Sequence, residues 1–125
     1  MEKIIKKWWN QSSAYYQKKF DIPVDDIYYW PFCPSEKELN IMDVNNIKGK
    51  KVLELGCGGG QCSIFLSKKG AICKGVDISK KQISFAKKLA KKNYAEVEYF
   101  EGSGENLDMF EDNHFDIVLS VFSIQ

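Results

Sequence analysis

Two acids and three alternate glycines are the residues of this chain best spaced to hold a ligand. Glu54 stands two residues before Gly56, and Gly58 and Gly60 follow in the run KVLELGCGGG over residues 51–60. Val52, Leu53 and Leu55 make the preceding run a short buried strand. The pattern Gln61-Cys62-Ser63-Ile64-Phe65-Leu66 then opens a helix. A strand that turns through glycine into a helix lets a ligand approach bare backbone and aims free N–H groups at an anionic group. Asp77 lies 21 residues beyond Gly56, after a second apolar segment. A carboxylate at that place can accept from both hydroxyls of a ribose. Glycine spacing also separates cofactors: G-x-G-x-x-G counted from Gly56 needs glycine at position 61, which is Gln61. That disfavours an NAD-dependent oxidoreductase.

The elements that must position these residues alternate along the chain. Apolar and aromatic residues at three- and four-residue steps (Ile4, Ile5, Trp8, Trp9, Tyr15, Tyr16, Phe20) predict a helix over Met1 to Phe20. Pro23, Pro31 and Pro34 make the next stretch irregular. Ser35-x-x-Glu38 forms a capping box that predicts a helix to about Val44. Strands are expected at 51–55, 71–77, 96–101 and 115–121. Helices are expected from about Gly60 to Lys69, stopped by Gly70, and from a second capping box at Ser79 to about Lys92. The fourth strand is apolar enough to be buried on both faces. Alternation of this kind predicts an α/β fold with a parallel sheet and right-handed crossovers. Ligands of such sheets sit beyond the carboxyl ends of the strands. Those ends carry Glu54 and the glycines, Asp77 and Ile78, Ser103-Gly104-Glu105, and Ser120 to Phe122.

Length, charge and cysteine usage narrow the classes. The 125 residues carry a net charge of +1, which points to neither nucleic acid nor a membrane surface as a partner. Charge is nonetheless unevenly placed, with nine lysines and one acid from Gln61 to Ala95, then eight acids and no lysine from Glu96 to Asp116. Solvated faces account for both blocks. No apolar run approaches the roughly 18 residues of a membrane span and no signal-peptide pattern is present, so a cytoplasmic protein is expected. Cys33, Cys57, Cys62 and Cys73 form no C-x-x-C pair, which argues against a metal site. His114, the single histidine, precedes the fourth strand and so falls at the sheet end opposite the ligand crevice.

Four stretches in order, VLELGCGGGQ, GVDIS, GSGENL and FDIVLS, resemble successive motifs of the class I S-adenosylmethionine-dependent methyltransferases of small-molecule type. The resemblance runs from about Lys50 to Gln125, and WWNxxxAxY is similar to the leading helix of that group. It implies a Rossmann-like doubly wound sheet, here in the order 3-2-1-4, with residues 1–49 as a helical and aromatic cap and 50–125 as the cofactor domain. S-adenosylmethionine is the implied cofactor and S-adenosylhomocysteine the product. Glu54, Gly56, Cys57, Gly58 and Gly60 then line the methionine and ribose part, Asp77 holds the ribose, and Ile78 packs on adenine. Ser103, Gly104 and Glu105 border the adenine edge, and Ser120 and Phe122 face the methionine or the acceptor. Trp9, Tyr15, Tyr16 and Trp30 are candidates for an aromatic lid near the sulfonium. Many members carry Asp-Ala where this chain has Ser103-Gly104, and a serine accepts more weakly than an aspartate.

The family sheet has seven strands, so the resemblance further implies a chain that stops after the fourth and self-associates through that strand's open edge. Ser120-Val121-Phe122-Ser123 replaces the Asp/Asn-Pro-Pro-aromatic run of nucleic-acid amino-methyltransferases, and a small-molecule acceptor is expected. A cofactor- or nucleoside-binding module without activity of its own is the alternative.

Overall fold

A computed structural model describes residues 1–29 and 34–121. The elements are α1 (Glu2–Phe20), α2 (Glu36–Leu39), a 3-10 turn (Val44–Asn46), β1 (Lys51–Leu55), α3 (Gln61–Lys68), β2 (Ile72–Asp77), α4 (Lys80–Lys92), β3 (Val97–Glu101) and β4 (Ile117–Leu119). All strand pairs are parallel and the order is β3-β2-β1-β4, as the resemblance implies. The residues 52–54 of β1 are buried, so both faces of that strand are covered. On one side Val52 and Cys73 join Ile27, Ile47, Phe65 and Leu66; on the other Cys57 and Ile64 join Ile83, Ala86, Ala90 and Tyr99. Ile27 and Ile47, each 1 % exposed, bind the segment before β1 into the same core as the sheet. Among the described residues no helix is long and apolar enough to cross a membrane.

Gly75 is the close-approach position of the sheet. A Cβ there would lie 2.8 Å from the Tyr99 ring and 3.0 Å from Cys57 Sγ, so only glycine lets the ring lie across β2. The Tyr99 hydroxyl, held that way, lies 3.0 Å from Ser63 Oγ and donates to the Gly60 carbonyl at 3.3 Å. The β3 side chain thereby pins the start of α3.

Two expectations fail, each for a local reason. The helix after Ser35 stops at Leu39 rather than near Val44, and Ser35 makes no side-chain cap. Glu36 turns inward instead and is 2 % exposed; its carboxylate accepts from the backbone N–H groups of Ile41 and Met42 and from the Tyr29 hydroxyl. Those bonds fix the chain in a turn just past Leu39, with Asn40 left-handed at φ 51°. The capping role passes to Asp26, whose carboxylate accepts from Ile27 N at 2.8 Å and Lys37 N at 3.3 Å. The second failure is β4, which spans three residues and is not buried on both faces. Val118 is 57 % exposed, whereas Ile117 and Leu119 pack on the cluster around Val52. β1 pairs with one edge of β4, and no described element lies over Val118.

Candidate functional site

The carboxyl ends of β1, β2 and β3 open into a cavity of about 450 Å³, roofed by α1. The glycine turn forms its floor. Gly56, Gly58 and Gly60 all have positive φ (63°, 55° and 77°), a conformation open to glycine at little cost. Asp77 closes the turn from the neighbouring strand. Its Oδ2 accepts from Gly58 N at 2.9 Å and its Oδ1 from Ser79 N at 2.9 Å. An ionised carboxylate has about four acceptor positions, so two remain for a ligand. Burial raises the Asp77 pKa, and the two N–H bonds oppose that rise.

Glu54 is the least satisfied group in the wall. It is 3 % exposed, and its Oε1 has no hydrogen-bond partner among the described residues. Burial pushes its carboxyl up to about 8; hydrogen bonding from Ser63 opposes this, and the charge of Asp77 adds to it. The group is therefore largely protonated at neutral pH, and a cationic ligand group beside it would draw the proton off. The neighbouring thiols are inert by the same physics: burial raises Cys57 and Cys62 well above the ordinary cysteine value.

Of the residues singled out in the sequence, Glu54, Gly56, Cys57, Gly58, Asp77, Ile78, Ser103, Gly104, Ser120, Trp9 and Tyr16 all border this one cavity. Gly60, Glu105 and Tyr15 do not. A Cβ on Gly60 would lie 2.4 Å from the Tyr99 hydroxyl, so that glycine faces the core behind the turn. Glu105 is exposed on a separate shallow depression with Glu2 and Asp108. Tyr15 is 68 % exposed on the outer side of α1. Trp30 and Phe122 lie outside the described residues.

The sequence reading missed the polar seam that seats α1. Asn10 Oδ1 accepts from Ser79 Oγ at 2.7 Å and from Lys81 N at 3.2 Å. Gln82 Oε1 accepts from Ser13 Oγ at 2.7 Å and Gln17 Nε2 at 3.0 Å, and Gln61 Nε2 donates to Gln17 Oε1 at 2.7 Å. Gln82 is thus drawn away from the reciprocal half of its capping box. Ser79 Oγ still accepts from Gln82 N, while Asp77 takes the Ser79 N–H. A Cβ on Gly59 would come within 2.6 Å of both the Gln17 and Gln61 amides, so this glycine admits α1 rather than a ligand. Lys6 completes the seam with an ion pair to Glu101 at 2.8 Å. The available signal was the recurrence of Lys6, Asn10, Ser13 and Gln17 at three- and four-residue steps, one polar stripe on a helix otherwise read for its aromatics.

Among the described residues no group of histidine, cysteine and carboxylate side chains is arranged to hold a metal ion. The family model described as "Methyltransferase domain" matches residues 52–125. A relative named ubiquinone biosynthesis O-methyltransferase, from Pelagibacter ubique, is 31% identical over 119 residues, covering 95% of this chain and 48% of that protein. The PH0226 protein from Pyrococcus horikoshii OT3 superposes with a TM-score of 0.58 at 31% identity, over 82% of this chain and 41% of that one. Magnesium protoporphyrin IX methyltransferase from Synechocystis PCC 6803, solved with bound S-adenosylhomocysteine, superposes with a TM-score of 0.66 over 96% of this chain and 57% of that one; at 20% identity it bears on the fold alone. The chain spans about half the length of the relatives it matches. By its matched family model and its parallel sheet, the chain belongs to the class I S-adenosylmethionine-dependent methyltransferase family.

Proposed function

We propose that the chain carries the cofactor-binding half of an S-adenosylmethionine-dependent methyltransferase with a small-molecule acceptor. The observation that carries this reading is the convergence of Glu54, the glycine turn, Asp77 and Ser103-Gly104 on one cavity. The groups suit the cofactor's chemistry. Asp77 has two acceptor positions to spare for the ribose hydroxyls. Ile78 offers an apolar platform for adenine beside the Ser103-Gly104 backbone. The orphaned Glu54 Oε1 is a natural partner for the ammonium end. When bound, S-adenosylmethionine supplies an activated methyl group on a positively charged sulfur.

The protein's own task is then alignment and exclusion of water, because the leaving group needs no help from an acid. The rings of Trp9, Tyr16 and Tyr28 border the same cavity, where an aromatic face attracts a sulfonium. Ile22, Ile27 and Val121 make the rest of that region apolar, which favours an uncharged organic acceptor over a polymer backbone. The relatives' name makes an acceptor oxygen the first to test.

Calorimetric titration with S-adenosylmethionine, S-adenosylhomocysteine and NAD tests the reading. The first two should bind and NAD should not; equal or tighter NAD binding, or no binding by either sulfur compound, overturns it. The chain spans about half of its relatives' length, and a second reading is a binding module without turnover. Single-turnover assays with hydroxylated aromatic acceptors distinguish the two.

A further inference from the structure

α1 has three stripes, and the third has no use in the site. One is the polar seam of Asn10, Ser13 and Gln17; the second, with Ile5, Trp9 and Tyr16, lines the cavity. The third faces outward. Ile4, Trp8 and Tyr15 recur at steps of four and seven, so they share one helical face, and they are 71 %, 54 % and 68 % exposed. At 100° per residue, Lys7 and Lys18 fall along one margin of this stripe with Lys3 further round on that side, and Lys19 falls on the other margin, its Nζ 5.6 Å from the Tyr15 ring centroid. All four lysines are exposed, and among the described residues the one ion pair of α1 belongs to Lys6.

We propose that this outward face of α1 docks the protein on an anionic membrane surface. Two observations favour that partner. The apolar residues are an aliphatic, an indole and a phenol, the mixture that settles at the headgroup boundary, with lysines whose stems reach past it to lipid phosphates. The charge complements an anionic leaflet: beside Lys6, which pairs with Glu101 on the seam side, α1 carries four exposed lysines and one acid, Glu2, which lies on the far side of the helix from the stripe. The alternatives fit less well. All 18 basic residues of the chain are lysines, with no arginine for the forked contacts that nucleic acid favours. A symmetric contact with a second copy would set lysine margins against each other. The net charge of +1 conceals this face because the acids of residues 96–116 cancel it arithmetically; Glu101, Glu105 and Asp108 among them meet α1 on the side of Lys6 and Glu2, away from the Ile4–Trp8–Tyr15 stripe. The expectation of no membrane partner rests on that total and on the lack of a spanning run; surface docking conflicts with neither. The inference stands on α1 alone and does not depend on methyl transfer.

Vesicle co-sedimentation of the full chain tests it, with phosphatidylcholine vesicles against vesicles containing about 30% phosphatidylglycerol. Partitioning onto the anionic vesicles should exceed that onto the neutral ones at least about tenfold, and should fall about tenfold in roughly 0.5 M salt. Trp8→Glu, and separately the pair Lys3→Glu and Lys7→Glu, should each cut anionic partitioning by about tenfold; the lysine pair, being exposed, should leave the circular dichroism melt unchanged, and Trp8→Glu, whose ring meets Trp9 edge-on at 4.8 Å, should leave it cooperative. Absent or equal binding to the two vesicle types, or binding indifferent to both variants, overturns the proposal. So does a dimer in sedimentation that Trp8→Glu dissolves, which would assign the stripe to a second copy. Salt-sensitive retention of duplex DNA with no vesicle binding would assign it to nucleic acid.

Discussion

β1 has two neighbours of similar apolar sequence and opposite physical condition. Toward β2, five residues pair, Val76 is fully buried, Cys73 is 3 % exposed, and the strand ends on a doubly bonded Asp77. Toward β4, three residues pair, Val118 stands in water, and Ile117 and Leu119 are half-buried. The difference lies in what packs on top. α3 and α4 both contact β2, while among the described residues no helix is in comparable contact with β4. A strand's hydrophobicity measures how much cover it requires; whether the cover exists is decided by other elements. The site divides along the same line. The end proposed for the cofactor is built from the covered flank and is bonded in detail. The end near Ser120 and Val121 rests on the bare flank, anchored by the Ser120 hydroxyl donating to the Leu55 carbonyl at 3.0 Å.

The contrast can be broken from the covered side first. Gly60→Ala forces a side chain into a φ of 77° and against the Tyr99 hydroxyl. Strain and overpacking together should cost roughly 3 kcal/mol, read as a fall in Tm of about 10 °C or more. An unchanged melt would mean that Tyr99 does not pin the turn. Asp77→Ala should come next. It removes the Gly58 clamp along with the proposed ribose contacts, so S-adenosylhomocysteine affinity should drop by about 1.5–3 kcal/mol, the range for bonds to a charged group. Calorimetry showing full affinity in a folded variant would take Asp77 out of the site.

Glu54 gives the contrast a pH signature. Its carboxyl titrates at about 8 in the fold against an ordinary value of 4.5. Between those values the folded state keeps a proton that the unfolded chain has released. The stability from Glu54 is therefore complete below the ordinary value and is lost as pH rises toward 8, with a slope of about 1.4 kcal/mol per pH unit. Urea unfolding across this window should show the decline, and Glu54→Gln should flatten it. Binding of a cationic ligand group at neutral pH should release a proton, visible as a calorimetric enthalpy that depends on the buffer.

The smallest effect belongs to the bare flank and is informative for being small. Val76→Ala in β2 should cost about 2 kcal/mol, near the lower end for truncating a buried aliphatic side chain. Val118→Ala in β4 should stay within about 0.5 kcal/mol, as exposed substitutions do. Equal costs would mean that β4 is covered in solution.

Much of this protein was legible in its residues because the information is local. Gly56, Gly58 and Gly60 specify a turn that other residues enter with difficulty, and the apolar runs at 51–55 and 72–77 specify strands whose alternation with helices leaves few topologies. Strand ends in such a sheet share one edge, so the sequence alone brings Glu54, Asp77 and Ser103 together. What the residues left undecided depends on partners distant in sequence. Ser35 reads as a cap, but Asp26 reaches Lys37 N first, and Glu36 turns inward because Tyr29, Ile41 and Met42 offer donors there. Gln82 reads as half of a capping box, but Ser13 and Gln17, more than sixty positions away, claim its oxygen. Val118 reads as buried, yet burial is a property of the neighbour that covers it. Tertiary structure decides such cases because a side chain with several hydrogen-bonding or packing options takes the one whose partners the rest of the fold has already ordered.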